Sequence, residues 1–301
     1  MQIPVITAAH QSVPWQVRTL SLAMLCLAAG CATAPPPERV IDLRQVRSDQ
    51  VVVPLDVIDS YTTALTAVVA VLEQELGFPT LDARLEFVAD RENMRAVLKR
   101  EGIPDQLAGR LSELLDGIAL PGKILINESS VQRLTWGARI RFLAHELTHV
   151  AQNELAGGRR APSNQWMREG FAEWVAWRVM DILAPGSLEI KRRSAERQVA
   201  FAHGRGDLPP LAELATAVDF FAQTPRSLAP YYYAKSFLAA DQLVATQGVE
   251  SMLAYFGLFA RSDNSIANFE IAFGKSQSQF EREFSVYVGG LPVPERRSGQ
   301  P

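Results

Sequence analysis

Cysteine is almost missing from this 301-residue chain, which has only Cys26 and Cys31, so neither a disulfide framework nor a cysteine-rich zinc module can carry the fold. An excess of one charge is missing too. With 30 basic and 33 acidic residues the net charge is −3, too weak a field to argue for nucleic acid as a partner. No fixed period recurs, which excludes a repeat array. The apolar run near the N-terminus, Leu20 to Leu27, falls well short of the roughly 20 residues a membrane-spanning helix needs. What remains, 48% apolar and 21% charged residues, is the composition of a globular protein with a sizeable core.

The first residues differ in kind from the rest. Arg18 precedes Leu20-Ser21-Leu22-Ala23-Met24-Leu25-Cys26-Leu27, and Ala28, Ala29 and Gly30 then lead to Cys31. A basic start, a short apolar stretch and small residues before a cleavage point are the layout of a secretory signal over residues 1–30. The segment Leu27-Ala28-Ala29-Gly30-Cys31 resembles a bacterial lipobox, which implies a lipid on Cys31 and attachment to a membrane through it. Ala32 is not the aspartate that retains such lipoproteins at the inner membrane, so the resemblance implies an outer-membrane position facing the periplasm. An unmodified thiol, or a Cys26–Cys31 disulfide, is the other reading. Pro35-Pro36-Pro37 and the polar stretch after it read as a stiff tether spanning 31–54.

A single domain is expected from 55 to 290, with a disordered tail over 291–301. Apolar spacing predicts a helix over Val57 to Leu76, stopped at Gly77 and Pro79. Alternation predicts a strand over Ala83 to Val88, a helix follows over Arg91 to Arg100, and Lys123 to Asn127 forms a second strand. Beyond that point helical periodicity dominates: Arg133 to Ala156, Gln165 to Leu183, Ile190 to Ala202, Tyr231 to Thr246, Val249 to Ala260 and Gln277 to Val288. Strands early and helices late indicate an α+β protein.

The chemistry concentrates in Phe142-Leu143-Ala144-His145-Glu146-Leu147-Thr148-His149-Val150, in the middle of an expected helix. Residues four apart share a face, so His145 and His149 can aim both imidazoles at one metal ion, with Glu146 beside it as a base for a metal-activated water. The chain has four histidines in all, and two of them stand here at ligand spacing. A second helix carries Trp166-Met167-Arg168-Glu169-Gly170-Phe171-Ala172-Glu173, with 19 residues between His149 and Glu169. A helix, a loop and a returning helix bring Glu169 opposite the histidines, making three protein ligands and leaving one position open.

These residues resemble the gluzincins, the zinc peptidases typified by thermolysin and aminopeptidase N. The resemblance rests on the His145–His149 motif, its spacing to Glu169, and Trp166-x-x-Glu169-Gly170-x-Ala172. It implies one Zn²⁺ held by His145, His149 and Glu169, with Glu146 as general base. Glu173, one turn after Glu169, would orient His145, and the exchange of roles between the two glutamates stays open. It further implies a zincin-like fold: a small N-terminal sheet and the active-site helix up to about 164, then a mostly helical lobe, with the strand at 123–127 as the sheet edge on which a peptide docks.

Tyr231-Tyr232-Tyr233-Ala234-Lys235-Ser236 is similar to the Tyr-x-Lys-Gly/Ser segment of aminopeptidase-like members, which selects Tyr233 as oxyanion donor; simple packing is the other reading. Arg168 stands where aminopeptidases have asparagine, and no free-amine recognition motif is present. The implied activity is hydrolysis of peptide or protein substrates in the bacterial cell envelope. Its rivals are a non-catalytic zinc-binding lipoprotein, acting as a peptide-binding or assembly module, and a hydrolase of non-peptide amides. Trp136, Trp174 and Trp177 read as core or cleft wall, and His203 as a polar loop residue or a remote donor to the site.

Overall fold

A computed structural model describes residues 39–46, 53–159, 163–222 and 227–293. The signal segment, Cys31, most of the tether and the end of the tail lie outside the described residues. The described chain is α+β and mostly helical, with one small four-stranded sheet.

The strands are β1 (Arg39–Asp42), β2 (Arg84–Val88), β3 (Gly117–Leu120) and β4 (Lys123–Asn127), in the spatial order β1-β2-β4-β3. β2 and β4 run parallel, while β1 and β3 close the two edges antiparallel. Helix α1 (Tyr61–Ala70) starts at Ser60, whose hydroxyl and Thr63 form a reciprocal capping box, and continues as a π-turn to Glu75. Helices α2 (Arg91–Arg100) and α3 (Asp105–Leu114) form part of the crossover from β2 to β4. A short α4 (Glu128–Val131) then leads to α5 (Trp136–Leu155), capped by the Thr135 hydroxyl.

Side chains alternate faces along each strand, and the sheet uses both. Leu85, Phe87, Ile124 and Ile126 pack into the main core with α1 and α5, where Leu65, Val68, Leu143 and Leu147 are wholly buried. Val88, Leu125, Ile118 and Leu120 face the other way into a smaller core with Met94, Leu98 and Leu111 of α2 and α3.

The rest is helical: α6 (Gln165–Leu183), α7 (Ser187–Gly204), α8 (Ala229–Leu258), α9 (Ser265–Phe273) and α10 (Gln277–Gly289). α8 bends at Gly248, whose φ of 81° only glycine adopts freely, so the two periodic segments expected on either side of it are two arms of one kinked element. Trp174 donates from its indole to Asp241, which also pairs with Arg192, tying α6, α7 and α8 together. No described helix is long and apolar enough to cross a membrane.

Three departures from the sequence reading bear on the site. β1, Arg39-Val40-Ile41-Asp42, lies inside the stretch read as tether, where its partner β2 supplies the backbone bonds that four residues cannot advertise alone. α3 and β3 are not among the expected elements: β3 is only four residues long, whereas Leu107, Leu111 and Leu114 do give α3 a helical spacing. The strand expected at the sheet edge, β4, is interior, as its continuous Ile124-Leu125-Ile126 run buried on both faces suits; β3 is the edge.

Candidate metal centre

α5 and α6 contact each other along their length. Asn153 meets Arg168, His149 meets Glu169 and His145 meets Glu173, so numbers fall along one helix as they rise along the other, and the pair is antiparallel. That geometry brings the acidic motif back over the histidine pair.

His145, His149 and Glu169 form a group able to hold a metal ion. The two Nε2 atoms are 3.1 Å apart, Glu169 Oε2 is 3.3 Å from His145 Nε2, and Glu169 Oε1 is 3.6 Å from His149 Nε2. In a tetrahedral site with bonds of about 2.0–2.1 Å, neighbouring ligand atoms are about 3.3–3.4 Å apart. The three donors therefore already stand at ligand spacing around a common point.

Each ligand is oriented from behind. Gln152 Oε1 lies 2.8 Å from His149 Nδ1, and Glu173 Oε1 lies 3.5 Å from His145 Nδ1. Both contacts suit a proton on Nδ1, which leaves each Nε2 lone pair for an ion. Gln152 in turn donates to the Arg168 carbonyl at 3.1 Å, and Gln165 donates to Glu169 Oε1 at 2.6 Å. Lys191 on α7 donates to Glu173 Oε2 at 2.9 Å, anchoring the oxygen that does not face His145. Neither the two glutamines nor Lys191 figured in the sequence reading. The i, i+3 step from His149 to Gln152 and the i, i+4 step from Gln165 to Glu169 were readable signals; Lys191 reaches the site only through the fold.

The electrostatics favour a cation. Burial lowers the basicity of His145, but the Glu169 and Glu173 carboxylates outweigh it and push its pKa up to about 10. Burial raises Glu169, yet the two imidazoles win and hold it well below the usual carboxylate range. Glu173, raised by burial, is brought down to about 2 by His145 and Lys191. Glu146 behaves differently: burial raises its pKa and the imidazoles do not fully offset this.

Glu146 is 6% exposed and lines a cavity of about 40 Å³ together with His149, Glu169, Arg168 and β3 residues Gly117 to Ala119. Its buried Oε2 has no hydrogen-bond partner. A single water needs roughly 10–15 Å³ of such space, so the cavity has room for an ion and a water or two.

Of the three consecutive tyrosines, Tyr233 faces the centre. Its ring centroid is 6.3 Å from that of His145, and burial with the surrounding carboxylates pushes its pKa well up. Tyr231 instead packs near Phe201, and Tyr232 is buried against Phe220. His203 is exposed in the last turn of α7 and borders a separate cavity with Lys235 and Glu281, away from the metal group. Trp174 is core, with Trp136 and Trp177 packed against it at the margins. Comparison with protein families, with curated proteins and with solved structures finds no match for this chain.

Proposed function

We propose that this protein is a zinc peptidase with a gluzincin-like centre on a zincin-like fold. One observation carries the proposal: a buried glutamate, Glu146, presents an oxygen without a hydrogen-bond partner beside a three-ligand metal group. A site that only stored or was braced by metal would have no use for a desolvated base there, and burying one without a partner is costly. Two imidazoles and one carboxylate suit zinc.

When bound, the zinc ion would supply Lewis acidity and an acidified water. Glu146, its pKa raised by burial, would take the water's proton on Oε2 and deliver it to the leaving amine. The Tyr233 hydroxyl would donate to the oxygen on which negative charge develops. The terminal place of β3 in the sheet and the lining of the metal cavity by its residues support docking of an extended substrate by strand addition. The same reading places the domain at the bacterial envelope on a lipid at Cys31, on the strength of the Leu27-to-Cys31 segment.

The test is digestion of a mixed peptide library by metal-loaded protein, with and without chelator, beside Glu146→Gln. Cleavage should need metal, and the variant should keep its metal while losing about 10²–10⁴-fold in rate. Full metal content with no cleavage of any peptide would replace the enzyme by a metal-binding module.

A further inference from the structure

The cavity bordered by His203 shares no residue with the metal cavity and holds about 160 Å³. Helices α7, α8 and α10 enclose it with the loop between α7 and α8; Leu211 of that loop and Phe284 and Val288 of α10 are its buried apolar walls. Lys235 of α8 and Glu281 of α10 also line it, with His203 at the exposed rim. Lys235 is only 7% exposed, and the Pro209 carbonyl is its one hydrogen-bond acceptor among the described residues. An ammonium has three donors, so two have no protein partner. Glu213 and Glu281 attract it through space, yet neither forms an ion pair with it, and Glu281 instead accepts from Gln277. Burial outweighs both attractions and lowers the Lys235 pKa to about 8, which leaves the amine mostly charged at neutral pH.

A buried cation is normally matched by an anion, because desolvating it alone is costly. Methionine would occupy the same space without that cost, so packing does not account for a lysine here. No described carboxylate pairs with this ammonium, and the complementary charge falls to an occupant. Size narrows it: an apolar cavity of about 150 Å³ is enough to bind benzene, so this one accepts a leucine-sized side chain. Charge narrows it further, since Lys235 and Glu281 border one space without pairing. An α-amino acid carries both complementary groups on one carbon: its carboxylate suits Lys235, its ammonium suits Glu281 and its side chain suits the apolar walls. A plain amine would leave Lys235 unmatched, and a dicarboxylate would bring a second negative charge to Glu281. We propose that this cavity is a binding site, separate from the metal centre, for a free α-amino acid with a leucine-sized apolar side chain. The site neither needs the metal nor depends on the peptidase reading.

The full chain, loaded with zinc, is titrated calorimetrically with leucine, with glycine, with isocaproate, which is leucine without its amine, and with isoamylamine, which is leucine without its carboxylate. Leucine should bind, and glycine, which leaves the apolar walls uncovered, should bind about 10–100-fold more weakly. Isoamylamine should lose about 10–100-fold because Lys235 then stays unmatched. Isocaproate should lose only about 2–5-fold, because Glu281 is half-exposed and its pairing is screened. Lys235→Met removes a buried charge and leaves the fold intact, and it should weaken leucine about 10–100-fold. Glu281→Gln should erase the difference between leucine and isocaproate. Leucine affinity unchanged in Lys235→Met puts the ligand elsewhere, the metal included, and overturns the proposal. No leucine binding at millimolar concentration overturns it as well, and so does isoamylamine binding as tightly as leucine. Isocaproate matching leucine in the wild-type protein overturns the amino-acid assignment in favour of simple carboxylates.

Discussion

Gly170, immediately after the ligand Glu169, lies where α6 crosses α8, and replacing it with alanine should both loosen the fold and disturb the site. A methyl group built there would lie 2.6 Å from the carbonyl carbon of Ser236 and 3.3 Å from the Ala240 side chain. Unbonded carbons settle at about 3.5–4.0 Å, so the helices must separate by about 1 Å. Helix propensity would favour the substitution by about 0.5–1 kcal/mol, but overpacking of a tight core costs typically about 1–3 kcal/mol. The balance is a destabilisation of roughly 1–2 kcal/mol, and for a protein of this size each kcal/mol lowers Tm by about 2–4 °C, so thermal unfolding should show a loss of about 2–8 °C. Because α6 carries Glu169 and α8 carries Tyr233, the same separation moves the proposed oxyanion donor from the proposed ligand, and displacement on this scale should lower the proposed turnover by about 10²-fold. Gly109→Ala, inside α3, is the control: its methyl would meet only the flexible Arg95 side chain, at 3.7 Å, and should stabilise. If Gly170→Ala melts at or above wild type while Gly109→Ala behaves as expected, the close crossing that holds the ligand helix is wrong.

Metal titration should rank the carboxylates: Glu169→Ala should abolish tight binding, while Glu173→Gln, which keeps shape but not charge behind His145, should weaken it about 10–100-fold. Lys191→Met, which frees Glu173, should weaken it by a smaller factor in the same assay; equal and negligible losses at 169 and 173 would refute the ligand assignment. Burial lowers the Lys235 pKa from 10.5 to about 8, so between these values the unfolded chain holds a proton that the folded one has released, and stability should rise with pH across that window. Lys235→Met should therefore be more stable than wild type at pH 7, by on the order of 2–3 kcal/mol before the lost bond to the Pro209 carbonyl, with the gap closing towards pH 10.5 in urea unfolding. Cys31→Ser should move the protein from the membrane fraction to the soluble envelope extract, and an unmodified Cys31 by intact mass would contradict the anchor.

Much of the centre was legible because its geometry is local. His145 and His149 share a helical face by virtue of a period near 3.6 residues, and that holds wherever the helix sits. The boundaries Arg91–Arg100, Lys123–Asn127 and Gln165–Leu183 follow from apolar spacing and stop signals, and the structure has them at those residues. Gly170 was visible as part of the motif, but its reason, the backbone of Ser236 pressed against it, was not.

What the sequence determined alone was the spacing of the candidate donors: two imidazoles one turn apart, a glutamate between them and a carboxylate returning after a 19-residue gap. Tertiary structure decided the rest. Strand order made β3 rather than β4 the edge, since four short strands can pair in several ways whose local propensities barely differ. The crossing of α6 and α8 chose Tyr233 over its neighbours, because three adjacent tyrosines are chemically alike and differ only in the direction each takes from the helix. An apolar cavity joins residues 114–115 to residues 220–233, and Lys191 reaches Glu173 from another helix. Such contacts depend on how whole elements pack, and packing energy is summed over many side chains at once, so no single stretch of sequence carries it.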